Sequence, residues 1–339
     1  MLARRANVSV EYAGVDITSE VQADLLSFSY TDNASGDADS ISLTLKDERK
    51  KWANDWFPEK GDVVTPAIRT TNWRREGDRQ ELPCGRFFVD EPEYSGHPSV
   101  LTIGAISAPL NSNFSSTQRS RTWRNISLSS IARDISSRYG LELQFIGKNN
   151  PRYSTIEQTE TPDAAYLSEL CEKDGLALKV TDQKIVIFDE REFERRDSVA
   201  TIREWSDIVL RYTFRTSLSN TAYAGVNVKY YDAALGRTIE YQFTIRDPGG
   251  KDKIFQLNSK VRTGEEAHRL ARRTLRNLNK KEWVGTLGVV GKVNLLGGSC
   301  VDLEGFGRFS GKYYIQSATH TVGGGYTTDI EVRKVLEGY

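Results

Sequence analysis

The stretch GRFFVDEPEYSGHPSVLTIGAI (residues 85–106) has a counterpart near the other end of the chain, GKYYIQSATHTVGGGYTTDIEV (residues 311–332). Each begins with glycine, a basic residue, two aromatic residues and a β-branched aliphatic residue. Each then passes through a polar, glycine-containing turn into a second alternating segment. Because alternation with a period of two is typical of half-buried strands, both stretches are predicted to form β-hairpins.

The similarity of the two stretches extends upstream. KGDVV (residues 60–64) precedes the first hairpin and GGSCV (residues 297–301) precedes the second, so that in each case a glycine-led turn enters a short apolar strand. Glycine and aromatic residues are common in β proteins, and two unrelated hairpins could converge on this pattern. A structural repeat is the better explanation, because a turn and a hairpin match in order. Two similar β units per chain would let a homotrimer present six similar units in one ring.

The composition predicts a soluble globular protein with two or three domains. The chain has 339 residues, 38% hydrophobic and 27% charged, and its mean hydropathy is −0.51. Lys+Arg 46 offsets Asp+Glu 46, so the global charge predicts no specific nucleic-acid binding. No apolar run approaches the length of about 20 residues that a membrane span needs, and none suits a signal peptide. We therefore expect a soluble product made in the cytoplasm, without membrane insertion.

The pattern along the chain indicates a mainly β protein with an α+β insertion. Residues 1–115 are predicted to form a first antiparallel β domain, residues 116–195 a small α+β domain, and residues 196–339 a second β domain that includes a helix at 264–281. A Ser/Asn/Thr/Arg-rich linker is predicted at residues 110–123.

Three helices are predicted from apolar spacing and capping residues. The first places Leu128, Ile131 and Ile135 on one face, the second is expected to be capped by Thr161, and the third by Thr263. The third carries one apolar stripe and crowds its far end with arginine and lysine, which suits the helix dipole.

The sequence predicts no catalytic, cofactor or metal site. His97, His268 and His320 are far apart and none has metal-ligand spacing. Residues 305–311 are glycine-rich, but they lack the following helix and the Gly-Lys-Ser/Thr of a phosphate loop. Adjacent carboxylates such as Asp90 and Glu91 are expected by chance in a chain with 46 acidic residues. The three cysteines are widely spaced and odd in number, which favours buried structural thiols.

Six segments follow one another along the chain: LLSFSYTDNASGDADSISLTLKD, KGDVV, GRFFVDEPEYSG, TWRNISLSSIARDIS, QTETPDAAYLSELCEKDGLAL and GKYYIQSATHTVGGGYTTDIEV. In these segments and their order, the chain resembles the phage late control protein D family, the baseplate hub proteins of contractile tails. The chain is also similar to the N-terminal hub portion of VgrG proteins.

This resemblance implies two tube-protein-like antiparallel β-barrel domains per subunit and a homotrimeric, pseudo-hexameric ring. The ring would join the six-fold inner tube protein to a three-fold central spike protein and would contact tape-measure and baseplate wedge proteins. Because the chain ends at Tyr339, the spike is expected to be a separate protein. The particle would be a phage, an R-type bacteriocin or another contractile injection system, and the protein would be located in its tail baseplate.

Two groups of residues are candidate protein interfaces. The inserted loop at residues 71–80 contains Trp73, Arg74 and Arg75, a composition favoured at interface hot spots; a mobile surface loop is the alternative. On the third helix, Arg272, Arg273 and Arg276 predict a solvated face or an inter-subunit salt-bridge surface. Trp52 and Trp56 are four positions apart and are predicted to pack in the core.

Two functions from other classes remain open at this stage. A tail-associated peptidoglycan hydrolase would need a pair of catalytic carboxylates in a cleft. A receptor- or carbohydrate-binding β protein would need aromatic residues exposed on a shallow groove.

Overall fold

The computed structural model describes residues 3–107, 113–147, 149–181, 183–219, 221–232, 236–245, 253–261 and 263–339. Its strands are β1 (Arg5–Tyr12), β2 (Val15–Asp16), β3 (Leu25–Asn33), β4 (Ser40–Lys46), β5 (Val63–Thr71), β6 (Arg79–Pro83), β7 (Phe87–Ser95), β8 (Val100–Ile106), β9 (Gln118–Ser127), β10 (Glu142–Ile146), β11 (Arg152–Pro162), β12 (Ala177–Thr181), β13 (Lys184–Phe188), β14 (Ala200–Arg203), β15 (Val209–Thr216), β16 (Gly225–Asp232), β17 (Arg237–Thr244), β18 (Ile254–Asn258), β19 (Trp283–Val290), β20 (Cys300–Glu304), β21 (Gly311–Val322) and β22 (Tyr326–Lys334). The helices are α1 (Thr18–Asp24), α2 (Leu128–Arg138), α3 (Asp163–Lys173), α4 (Glu190–Glu194) and α5 (Gly264–Asn279), with a 3-10 turn at Gly307–Phe309.

One large sheet contains most of the strands. Its order is β15-β19-β22-β21-β3-β4-β8-β7-β5-β1-β2. In addition, β6 pairs with β5, β20 pairs with β21, and β14 pairs with β20. We call β1–β8 with α1 the first β unit, and β14, β15 and β19–β22 the second β unit. Strand β4 shows why this sequence forms a sheet, since its buried residues Ile41, Leu43 and Leu45 alternate with more accessible polar ones. The two units are joined by antiparallel pairing of β3 with β21, which we call the seam.

The predicted hairpin repeat is confirmed down to single backbone contacts. The hairpins β7–β8 and β21–β22 are both antiparallel, and each is interrupted by a bulge directly after the β-branched residue of its opening motif, Val89 or Ile315. In the first β unit, Val63 lies opposite Phe88 and Val64 opposite Phe87, and Gly61 N donates to Val89 O at 2.8 Å. In the second β unit, Cys300 lies opposite Tyr314 and Val301 opposite Tyr313, and Gly298 N donates to Ile315 O at 2.9 Å. Gly61 and Gly298 both have positive φ, so a glycine-led turn enters each strand in the same conformation.

Strands β3 and β15 extend this correspondence. β3 pairs with β4 and has a register shift between Leu25 and Ser27, while β15 pairs with β19 and has one between Val209 and Arg211. Each β unit therefore contains the same four-strand arrangement, β3-β4-β8-β7 in one and β15-β19-β22-β21 in the other.

Two α+β insertions interrupt the β units. The first insertion (β9–β13 with α2, α3 and α4) follows β8, and the second insertion (β16–β18 with α5) separates β15 from β19. The segment predicted as one second β domain thus contains two separate sheets, because the alternating strands β16–β18 pair only with one another in the described ranges and pack on α5. The boundaries 1–115, 116–195 and 196–339 stay a prediction.

Apolar spacing and capping residues predicted where the three longer helices, α2, α3 and α5, lie. Thr263 caps α5 and accepts the Glu266 N–H at 3.1 Å, as predicted, and α5 ends at Asn279. The Thr161 cap is wrong: Pro162 is the N-cap residue of α3, because β11 continues to Pro162 and the Thr161 hydroxyl donates to the Thr159 carbonyl.

The predicted linker is wrong at its C-terminal end. β9 begins at Gln118 and pairs with β11, because Phe114 and Trp123 are apolar enough to be buried in the core of the first insertion. The linker's first residues, 110–112, lie outside the described ones.

Buried ion pairs connect the insertions to the β units. Lys179 Nζ on β12 lies 2.6 Å from Asp32 Oδ1 and 3.1 Å from Asp39 Oδ1, and Asp32 also accepts the N–H of Gly297. On β22, Arg333 bonds to Glu194 at 2.5 Å and to Glu190 at 3.1 Å. Burial alone would raise the pKa of Glu190, but Lys280 and Arg333 outweigh it and lower that pKa to about 2. These pairs fix the first insertion against the sheet at two places.

Candidate assembly interface

The seam shows how one β unit joins the next. Its register places Thr319 opposite Thr31 and His320 opposite Tyr30, and the two threonine hydroxyls are 3.0 Å apart. β21 is thus paired on both sides, with β22 on one and β3 on the other. The corresponding strand in the first β unit is β7.

The strands that correspond to the seam are open at the two ends of the repeat. Within the described residues, β7 pairs with β5 only through Phe87 and Phe88, so its edge from Glu91 to Ser95 has a strand partner on the β8 side alone. β15 likewise pairs only with β19 in the described part of the chain. An open strand edge exposes unpaired N–H and C=O groups and is a template for pairing with another chain.

Exposed apolar side chains accompany the β15 edge. Leu210 is 51% exposed and Tyr212 is 44% exposed, and Trp205, just before the strand, is 89% exposed. Large apolar side chains rarely cluster on a monomer surface unless they take part in binding. The charges of the two open edges are also complementary, with Glu91 and Glu93 on β7 and Arg211 and Arg215 on β15.

The structure places Trp73 in contact with the second β unit of its own chain. The Trp73 indole donates from Nε1 to the Gly291 carbonyl at 2.7 Å, and its ring packs 5.4 Å from that of Tyr326. Arg74 and Arg75 are exposed at the tip of the same loop. An interface role for these three residues stays a prediction, and Trp73 has a structural role as well.

The three α5 arginines that the sequence singled out have different environments. Arg273 pairs with Asp174 of the first insertion at 2.6 Å, and Arg276 is buried and pairs with Glu194 of α4 at 2.6 Å. Both salt bridges lie within one chain, where the sequence predicted a solvated or inter-subunit surface. Arg272 has no ion pair or hydrogen bond in the described ranges, and its Nε is buried.

The two tryptophans predicted to pack in the core have different environments. Trp52 is buried in the first β unit, whereas Trp56 is 39% exposed. The Trp56 ring meets the Trp52 ring edge-on at 5.5 Å and lies under the Lys51 ammonium at 3.9 Å. The prediction is correct for Trp52 and wrong for Trp56, because residues 48–57 form turns that direct the two rings differently.

His320 of β21 is a titratable group that is completely shielded from solvent. It is fully buried at the seam, its Nε2 lies 2.9 Å from the Leu295 carbonyl and its Nδ1 2.7 Å from the Tyr326 hydroxyl. The neutral tautomer that satisfies both groups donates from Nε2 and accepts at Nδ1. Burial lowers the pKa of His320 to about 4.

Other chemical features are few in the part of the chain that the structure describes. All three cysteines are buried, and burial raises the pKa of each. No group of three His, Cys, Asp or Glu side chains among the described residues could hold a metal ion. None of the described helices combines the length and apolar character needed to cross a membrane.

The repeated, mainly antiparallel β fold is that of tail and hub proteins. A tail protein from Neisseria meningitidis MC58 superposes with a TM-score of 0.72 at 13% identity, over 97% of this chain and 96% of that one. The Escherichia coli c3393 protein, a component of the type VI secretion system, superposes with a TM-score of 0.59 at 12% identity, over 99% of this chain and 78% of that one.

The sequence comparison agrees with this fold. No family model matches the chain. The chain is 31% identical to the probable baseplate hub protein of Escherichia phage P2 over 176 residues, 50% of this chain and 42% of that protein. The match thus spans less than half the length of this curated relative. The predicted resemblance to baseplate hub proteins is confirmed.

The open strand edges are the features that sequence analysis missed. Alternation predicted the strands, but it carries no information about which edge remains unpaired. The repeat itself provides a signal that could have found them. Once the two units are aligned, β7 is the equivalent of β21, and β15 is the equivalent of β3.

Proposed function

We propose that the protein is a structural, non-enzymatic baseplate hub of a contractile tail or related injection system. Three copies would form a ring of six β units, each unit tube-like and barrel-shaped, and join a six-fold inner tube to a three-fold central spike protein. Tape-measure and baseplate wedge proteins would be further partners. The protein would be assembled in the host cytoplasm and located in the tail baseplate of a phage, an R-type bacteriocin or another injection system.

One observation carries the proposal: the seam joins two equivalent β units, and the strands equivalent to the seam strands are the open ones. If contacts between copies repeat the contact within the chain, β7 of one copy pairs with β15 of the next. Three copies then alternate three intrachain seams with three equivalent interchain seams. The similarity to tail and hub folds supports the same arrangement.

The repeat also predicts the register between copies. Counting onward from the matched bulges, Glu93 of β7 corresponds to Thr319 of β21, and Arg215 of β15 corresponds to Thr31 of β3. Glu93 would therefore lie opposite Arg215 of the next copy, where opposite charges stabilise the pair.

A disulfide experiment tests this register. Opposed residues of antiparallel strands have Cα atoms about 4.5–5.5 Å apart, which suits a disulfide. We expect oxidised Glu93→Cys/Arg215→Cys protein to give covalent dimers and trimers on non-reducing gels. Either single variant should give no ladder, and the buried native cysteines do not compete.

The matched control is Thr31→Cys/Thr319→Cys, the equivalent pair within one chain, which should cross-link without a change in subunit number. Failure of the interchain pair beside a successful control would contradict the proposed ring. A ladder that continues beyond three subunits would also contradict it.

Solution mass and lytic activity separate the hub from its rivals. A trimer, alone or with its spike, supports the hub. A stable monomer that clears suspensions of cell walls would favour a peptidoglycan hydrolase, and a monomer that binds glycans through exposed aromatic residues would favour a carbohydrate-binding protein.

A further inference from the structure

A cleft of about 580 Å³ separates the two insertions. One wall is the face of α5 that carries Arg269, Arg272, Arg273 and Arg276. This volume falls within the range of about 300–1,000 Å³ that is typical of ligand sites in proteins. No residue of the open strands β7 and β15 lines the cleft.

The opposite wall is also basic. It includes Arg152 and Lys173 of the first insertion and Arg191 of α4, while Asp174 and Glu266 are the acidic residues of the lining. Cations therefore outnumber carboxylates around the cleft, although the whole chain is neutral. A local excess of one charge in a concave site concentrates ligands of the opposite charge.

Most of the inner cations already have carboxylate partners. Asp174 pairs with Arg273 and also accepts the Tyr153 hydroxyl, and Asp189 is engaged by Arg191 through 3.0 Å bonds from Nε to both oxygens. Neither carboxylate forms an ion pair with a further guanidinium in the described ranges.

Arg272 is the half-buried cation of the lining that has no partner among the described residues. Within the described ranges it makes no hydrogen bond or ion pair, and its Nε is inaccessible to water. Burial, with the positive charges of Arg191 and Arg195, lowers its pKa, and the opposing effect of the Asp189 carboxylate is smaller. A half-buried, unpaired guanidinium next to like charges is electrostatically unfavourable, and an anion placed beside it would relieve that cost.

We propose that this cleft binds an acidic peptide segment of a partner protein, with one carboxylate paired to Arg272 and further carboxylates held by Arg269, Arg152 and Lys173 at its entrance. Arginine suits this role because its planar fork binds a carboxylate through two hydrogen bonds.

The lining favours an acidic peptide over a nucleic acid. Single-stranded nucleic acids bind to basic grooves that also present aromatic rings for base stacking. The aromatic residues of this cleft are Tyr153, which is half-buried with its hydroxyl bonded to Asp174, and Tyr339, which is 8% exposed.

Fluorescence anisotropy with labelled hexaglutamate tests the proposal in the full-length chain. We expect saturable binding that weakens as salt rises, and about tenfold weaker binding for Arg272→Gln, since a bidentate pair to a charged group is lost. Arg308→Gln removes an exposed arginine outside the cleft and should change the affinity by less than about twofold.

A second variant keeps the proposal testable if Arg272→Gln does not fold. Arg269 is exposed at the entrance, so Arg269→Gln should keep the fold, as checked by its melting temperature, and should weaken binding about threefold. Equal affinity of wild type and both cleft variants would overturn the proposal. Tighter, Arg272-dependent binding of single-stranded DNA of equal charge would also overturn it, because it would assign the cleft to nucleic acid.

Discussion

Replacing His320 by glutamine should remove a large part of the protein's sensitivity to acid. His320 is enclosed at the seam, where its neutral ring donates to the Leu295 carbonyl and accepts from the Tyr326 hydroxyl. A glutamine amide offers the same donor and acceptor without a titratable proton. The comparison therefore isolates the protonation of one side chain.

The expected magnitude follows from the pKa of His320, which burial lowers from 6.5 to about 4. The unfolded chain takes up a proton below about pH 6.5, and the folded chain does so only near pH 4, so stability is lost as the pH falls between these values. The complete loss is about 3.4 kcal/mol, of which about 2 kcal/mol is expected by pH 5. Above about pH 7.5 this contribution is fully present.

Urea denaturation at about pH 7.5 and about pH 5 measures this effect as the difference between wild type and His320→Gln. The variant is expected to be less stable at neutral pH, because its packing against Tyr30 is lost, and to gain about 2 kcal/mol relative to wild type at the lower pH. Burial raises the pKa of Asp39 to about 6, but Asp39 titrates in both proteins and its effect cancels. A relative change below about 0.5 kcal/mol would refute the reasoning.

Three further substitutions test the contacts that hold the parts of the chain together, each by its free energy of unfolding in urea at neutral pH. Lys179→Met should cost about 3 kcal/mol, because two nearly buried carboxylates, Asp32 and Asp39, lose their shared cation; an unchanged stability would show that the pairing is unimportant. Arg333→Met should also cost about 3 kcal/mol by leaving the buried carboxylates of α4 without that partner, and a neutral effect would contradict this. Trp73→Phe keeps an aromatic ring against the second β unit but loses one hydrogen bond to a carbonyl, so a loss of about 1 kcal/mol is expected, and no loss would indicate that the bond does not form.

Elements encoded by neighbouring residues were predicted well. The two hairpins follow from alternation and turn glycines, and α5 follows from its cap at Thr263 and its apolar stripe. Prediction failed where a short-range signal competed with burial. Phe114 and Trp123 lie in a polar stretch whose composition is typical of a linker. Both are nevertheless buried, because they pack against the apolar side chains in the core of the first insertion.

The candidate sites were only partly predictable for the same physical reason. The sequence singled out Trp73 and the arginines of α5 as binding residues, but their partners are distant in the chain: Gly291 for Trp73, Asp174 for Arg273 and Glu194 for Arg276. Which charges pair, and why the half-buried Arg272 has no partner among the described residues, depends on how the two insertions pack together.

The sequence by itself determined the two matching hairpins, because turn glycines and alternating side chains act over a few residues and need no distant partner. Only the tertiary structure decided how the copies are used. The seam brings Thr31 next to Thr319 across almost the whole chain, and this pairing leaves β7 and β15 open. Backbone pairing between strands is set by the hydrogen bonds that distant segments make after folding, and alternation alone does not specify which segments meet.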